Sequence, residues 1–238
     1  MRPPTRLLLV LPALAGMLLL TSPRAGSSVA CAPGLAGELA STRSASQLVT
    51  VVARSRGVTY ATVRLWQRDG ACWVPFAGPW QGRLGANGIS DHHREGDGTT
   101  PTGAYGIGPV IYGVAPDPGV HYRYHRLVCG DWWDEDPASP AYNTFRHVAC
   151  GTRPRFGGAS EPLWLSPLPY SHLAVLDYNR DPVVPGRGSG IFIHQQDGRS
   201  TAGCISLQPA DLVRLLRWLR PDLDPLVVIG TRAEIRRF

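Results

Sequence analysis

His194 ends one apolar run, Ile191-Phe192-Ile193-His194. Cys204 opens another, Cys204-Ile205-Ser206-Leu207, ten residues further on. A thiol and an imidazole are the working parts of a cysteine nucleophile. The thiolate attacks, and the imidazole takes the thiol proton and later returns it to a leaving group. Between the two runs, Gly203 directly precedes the cysteine. A glycine there permits a tight backbone path and leaves main-chain N–H groups to face an oxyanion. On a strand, His194 shares a face with Phe192, while Ile191 and Ile193 face the other way. Spacing alone fits a second reading equally well, since buried cysteine commonly serves as a small hydrophobe.

The elements that must carry these residues are mainly extended. Leu48-Val49-Thr50-Val51-Val52 is a β-rich run, and Tyr60 to Trp66 alternates as a half-buried strand does. Cys72 to Pro75 is a short extended piece, and turn signals then follow every few residues up to Gly113. Leu173 to Tyr178, Gly190 to His194 and Leu226 to Gly230 read as further strands. One helix is expected after Leu207. Pro209 sits in its first turn and Asp211 at its N-terminal end. Leu212, Leu215, Leu216 and Leu219 share a face opposite Arg214 and Arg217, and Pro221 stops it. Residues 114–162 are rich in Pro, Asp and Trp without a period, and read as a loop-rich insertion or lid. The catalytic domain is expected to span residues 47–238, after a linker or loose arm over 31–46.

Residues 1–30 have the layout of a secretory signal peptide. Arg2 and Arg6 precede a 14-residue apolar stretch, Leu7 to Leu20, and Ser28-Val29-Ala30 is a small-x-small cleavage site. Fourteen residues are short for a membrane span, so none is expected in the mature chain. Export makes disulfides available, and five cysteines leave one over. Cys129 and Cys150 flank one loop-rich segment within the insertion and are the first candidate pair. Cys31 with Cys72 is the second, which leaves Cys204 free.

Charge excludes some functions. The formal net charge is +6, and it falls to +3 without residues 1–30, which hold three arginines and no acid. The remaining arginines are scattered, so no nucleic-acid footprint is present; a mildly cationic partner of an anionic cell-surface polymer fits the balance. Gly103-x-x-Gly106-x-Gly108 has no helix after it and so is no nucleotide cradle. His121 and His125 have the i, i+4 spacing of a zinc pair, with His92-His93 nearby in sequence. Tyr122 stands where a metallopeptidase needs its glutamate, so no metal is expected, and a zinc cell-wall peptidase remains only as an alternative. Trp132-Trp133, followed by Asp134-Glu135-Asp136, either lines a sugar or peptide groove or packs the insertion.

Two motifs together resemble the L,D-transpeptidase catalytic domain, the YkuD-like family. Thr201-Ala202-Gly203-Cys204-Ile205 after strand-borne His194 is similar to its His, then Ser/Thr-x-Gly-Cys signature. Arg94-Glu95-Gly96-Asp97-Gly98-Thr99-Thr100-Pro101-Thr102-Gly103 is similar to its Gly-Asp-x-x-Thr-Pro-x-Gly segment. The resemblance covers roughly residues 47 to 230. It implies a mainly β sandwich or barrel, a Cys204 nucleophile with His194 as base, and peptidoglycan stem peptides as partner. No cofactor is implied, and the location is the cell envelope or outside the cell. It also implies a thioester that an amine resolves into a cross-link, or water resolves in an L,D-carboxypeptidase. A wall-binding module without catalysis is the remaining alternative. The sequence departs from the family at Gln195 (usually Gly), Ala202 (often His) and Ser206 (usually Arg). Thr201, Ser206, Arg199 and Trp132 are the expected substrate-binding residues, with Arg199 standing in for the missing arginine. The oligomeric state is not readable from the sequence.

Overall fold

The computed structural model describes residues 1, 31, 34–42 and 44–238. The signal-peptide reading lies outside the described residues. The order of elements is β1 (Gln47–Ala53), β2 (Tyr60–Asp69), β3 (Cys72–Arg83), β4 (Ile89–Ser90), β5 (Thr100–Pro101), β6 (Gly103–Gly113), β7 (Arg123–Arg126), β8 (Asp131–Asp134), β9 (Thr144–His147), β10 (Glu161–Pro162), β11 (Leu173–Leu176), β12 (Phe192–Gln195), β13 (Ile205–Leu207), α1 (Pro209–Trp218) and β14 (Leu226–Thr231). Nine strands join in the order β11-β12-β13-β3-β2-β1-β14-β6-β7. Strand β11 also pairs with β6, so the sheet closes on itself as a barrel does.

The closed sheet explains the burial pattern. β1 is buried at nearly every position, because β2 and β14 flank it and both of its faces are covered. β2 keeps the alternation read from its sequence: Ala61, Val63 and Leu65 turn inward, while Tyr60 and Thr62 turn out. Helix α1 buries Leu212, Leu215 and Leu216 against this core, and Leu219 at its C-cap joins them. Pro209 stands in its first turn, as expected, and Arg217 in its last.

Three regions differ from the sequence reading. β6 is an eleven-residue strand where turn signals are dense. Its glycines mark close approaches: a Cβ on Gly113 would lie 2.3 Å from the Ser171 carbonyl, and one on Gly106 would lie 2.9 Å from an Asp177 carboxylate oxygen. The insertion is not loop alone. β10, β8 and β9 form a separate three-stranded sheet, and the Cys129–Cys150 disulfide ties the flanks of the β8–β9 hairpin. The segment after Cys31 is docked rather than loose. Ala36 and Leu39 pack with Leu48, Trp66 and Val228, and the Cys31–Cys72 disulfide holds the segment to β3. Among the described residues no helix is long and apolar enough to cross a membrane.

Candidate active site

β12 and β13 run parallel with Ile193 opposite Ile205 and His194 opposite Ser206. Opposed residues on neighbouring strands share a face, and the period of two brings Phe192 and Cys204 to that same face. The site is therefore set by a two-strand register that places Cys204 and His194 on one surface.

The Cys204 thiol is free and only 8% exposed. It donates to the Gly190 carbonyl at 3.2 Å and accepts the Phe192 N–H at 3.4 Å. His194 is equally buried, at 8%. Its Nδ1 lies 2.7 Å from the Gln195 carbonyl. A carbonyl only accepts, so Nδ1 carries the proton and Nε2 is bare, which is the tautomer a general base needs. Among the described residues no hydrogen bond joins Sγ to His194, and the imidazole instead meets the Tyr170 ring edge to face at 5.6 Å.

Burial pushes the thiol far above its ordinary range, the carboxyls of Glu161 and Glu135 push the same way, and the Phe192 N–H works against them. Burial lowers His194, against the pull of the Gln195 carbonyl and Asp197. The resting pair is thus a neutral thiol beside a neutral imidazole.

The turn before the cysteine is clamped. Thr201 Oγ1 donates to the Cys204 carbonyl at 2.6 Å and accepts the Gly203 N–H at 3.2 Å. Gly203 itself is pressed against the other motif: a Cβ there would sit 3.0 Å from the Thr99 carbonyl and 3.5 Å from His93 Cε1. Thr100 Oγ1 accepts the Gly85 N–H and contacts the Cys204 carbonyl at 3.4 Å. The Gly-Asp-x-x-Thr-Pro segment and the Gly-Cys turn, about a hundred residues apart in sequence, meet here.

The other expected site residues are placed as follows. Ser206 is 1% exposed, and its hydroxyl has no hydrogen-bond partner. Arg199 is exposed on the loop between β12 and β13, and its carbonyl accepts from Arg83 at 3.2 Å. Arg83 is directly opposite Ser206 on β3, with its guanidinium 3.9 Å over the Tyr60 ring. Trp132 packs against Phe156 and Trp164, while Trp133 is fully buried beside Phe192. His121 and His125 do not come together as a metal pair. His125 and His147 each bond the buried Asp131 carboxylate, at 2.8 and 2.7 Å, and His121 is exposed.

Sequence reasoning did not single out Gly190, Tyr170 or Glu161, nor assign a role to Glu135. Glu135 and Glu161 lie on the insertion and Tyr170 just after it, and only the fold brings them to Cys204. The Gly188-Ser189-Gly190 stretch before the strand was the available signal.

Against known proteins, the family model described as the L,D-transpeptidase catalytic domain, YkuD, matches residues 76–234. The chain belongs to this family. Among solved structures, the helical cell shape determining protein Pgp2 from Campylobacter jejuni is similar at 14% identity and a TM-score of 0.39. That similarity covers 79% of this chain and 49% of Pgp2, so this chain spans about half the length of that protein. No curated protein matches. For an L,D-transpeptidase domain the departures now have surroundings. Gln195 accepts from Ser171 Oγ at 2.8 Å with its side chain and holds His194 with its carbonyl. Across from Ser206, the position that usually carries arginine, stands Arg83.

Proposed function

We propose that the chain is an exported cysteine acyltransferase acting on peptidoglycan stem peptides, with residues 1–30 as its signal peptide and residues 47–238 as its catalytic domain. The observation that carries the reading is the free Cys204 thiol on one strand face with His194, whose bare Nε2 is fixed by the Gln195 carbonyl. Two disulfides and the family membership support an exported location.

In the proposed cycle, substrate binding turns the thiol from Gly190 toward His194 Nε2, which takes its proton. Sulfur attacks the carbonyl that joins the L-centre of diaminopimelate to the terminal D-residue. A C–S bond forms, the C–N bond breaks, and the imidazolium protonates the departing amine. An amine of a second stem peptide then attacks the thioester and loses its proton to His194. The new amide is the cross-link, and the thiolate leaves and regains its proton from the imidazolium. Water in place of the amine gives L,D-carboxypeptidase action. The Gly203 N–H now held by Thr201 Oγ1 is the nearest clamped donor for the oxyanion.

Thr201 is assigned to shaping the turn, and Arg199 and Trp132 to the edges of the peptide site. Ser206, beside His194 on the neighbouring strand, is assigned to supporting it. The test is incubation of purified muropeptides with the full chain and with Cys204→Ala, followed by mass spectrometry. Cross-linked dimers identify the transpeptidase and trimmed tripeptides the carboxypeptidase, each lost in Cys204→Ala. No change in any muropeptide would refute the reading. Replacing His194 by Ala should slow acylation by a carbapenem-type β-lactam by ~10²–10⁴-fold, and an unchanged rate would remove His194 from its role.

A further inference from the structure

We propose that the carboxyl groups of Glu95, Glu135 and Glu161 form a subsite beside the Cys204 thiol for a primary ammonium group of the peptide substrate. The proposal rests on the stem-peptide reading, because diaminopimelate supplies such an ammonium.

The segment Gly188-Ser189-Gly190, which leads into β12, is the floor of this subsite. Gly190 gives its carbonyl to the thiol. On the same residue, a Cβ would fall 1.9 Å from Glu135 Oε1, so this carboxyl lies one residue's backbone away from the nucleophile. Ser189 Oγ donates to Glu95 at 2.7 Å, and the Tyr142 hydroxyl bonds the same carboxylate oxygen. Glu161 accepts from the Tyr170 hydroxyl, and the Tyr170 ring packs on both Phe192 and His194. Glu95 and Glu135 thus meet on one short stretch of backbone, and Glu161 joins them through Tyr170, whose ring packs on the strand that carries His194.

Glu135 is the unexplained member. The residue is 7% exposed, and among the described residues no hydrogen bond reaches its carboxyl. Every charge acting on it is another carboxylate: Glu161, Glu95 and Asp134. The nearby guanidinium of Arg180 lies over the Trp133 ring and pairs with Asp177 instead. A buried carboxyl without a partner is costly, and a group brought by a ligand can satisfy it. The partner that fits is a cation with several N–H donors. A primary ammonium meets both needs, with three N–H groups for three carboxyls. Burial does most to keep the thiol protonated and the Glu161 and Glu135 carboxyls add to it, so a bound cation would work against the carboxyl part and couple occupancy of the subsite to activation of Cys204.

The test uses the full chain carrying Cys204→Ala, which cannot turn over, and calorimetry with four probes. These are a stem tetrapeptide and a stem tripeptide, each with its diaminopimelate amine free or acetylated. The expected result is that acetylation weakens binding of at least one peptide tenfold or more, and that Glu135→Gln or Glu161→Gln reduces that penalty below threefold. A penalty on the tetrapeptide assigns the ammonium to the donor, and one on the tripeptide to the acceptor. The acetylated peptide is the folding control, since its affinity should not change in the Gln variants. If one Gln variant fails to fold, the other decides, and equal binding of free and acetylated peptides in the parent overturns the proposal in either case. Equal binding of free and acetylated peptides, no binding of the free peptides, or a penalty undiminished in folded Gln variants would overturn the proposal. Failure of the stem-peptide reading itself shows separately, as unaltered muropeptides in the mass-spectrometric assay.

Discussion

Replacing Glu135 by Gln should flatten the fall of stability with rising pH. In the folded chain, burial, and after it the carboxylates of Glu161, Glu95 and Asp134, push this group up to about 9. In the unfolded chain it titrates in the ordinary range, near ~4.3. Between pH 5.5 and 7.5 the folded state therefore holds a proton that the unfolded state has released. The folded pKa is the higher one, so the contribution is complete below the unfolded value and is lost as pH rises. Each unit of pH across this window costs the wild type about 1.4 kcal/mol through this one group, or roughly 2–3 kcal/mol over two units. Gln carries no such proton, so the stability difference between variant and wild type should widen by that amount from pH 5.5 to 7.5. Urea unfolding at pH 5.5, 6.5 and 7.5 with disulfides intact and equal m-values measures it. Titration of His93 and His194 is present in both proteins and largely cancels in the difference. Parallel stability curves would refute the reasoning, because they would mean that Glu135 is already ionised in the fold at pH 5.5.

Three further outcomes are expected. His93 and His194 both titrate below their ordinary value because they are buried, so stability should drop as pH falls below ~6.5, where the unfolded chain takes up protons first; His93→Gln should lessen that drop in acid unfolding curves, and an unchanged drop would show that His93 does not contribute. Gly190→Ala should cost about 2–5 kcal/mol in denaturant unfolding, roughly half from placing Ala at a φ of 60° and half from the overlap with Glu135; adding Glu135→Ala should recover only the overlap part, and strict additivity would deny the contact. Replacing Cys129 and Cys150 by Ser opens a loop of 21 residues' separation and should cost ~3 kcal/mol in the same assay; peptide mapping should still find Cys31 bonded to Cys72 and Cys204 alkylated, and any other pairing would contradict the structure.

The family of this protein was legible in the chain itself. Cys204 and His194 are named by type, by spacing and by the apolar strands that end or begin at them. Helix α1 and strand β2 follow from local periodicity, because a period of 3.6 or two is written wherever one side of an element faces a core, while β1, β11, β12 and β14 follow from short apolar runs rich in branched residues. Odd counting in a chain read as exported left one cysteine over and two candidate pairs, and the fold carries both pairs. Other features depended on contacts between distant segments. β6 is rich in glycine because other backbone and side chains press on it, a reason invisible in a window of eleven residues. Gly203 and the Gly-Asp-x-x-Thr-Pro segment read as two motifs, and only the fold makes them one surface. The tautomer of His194 depends on a backbone carbonyl, which every residue has and no sequence distinguishes. The carboxyls around Cys204 come from the 94–97 loop and the insertion sheet, and their shared environment exists only once β8 and β10 pair and cover the thiol. Residue type and local period therefore determine which groups can react, while long-range pairing of strands determines what surrounds them. Burial and electrostatic coupling, which set their protonation, act through space rather than along the chain.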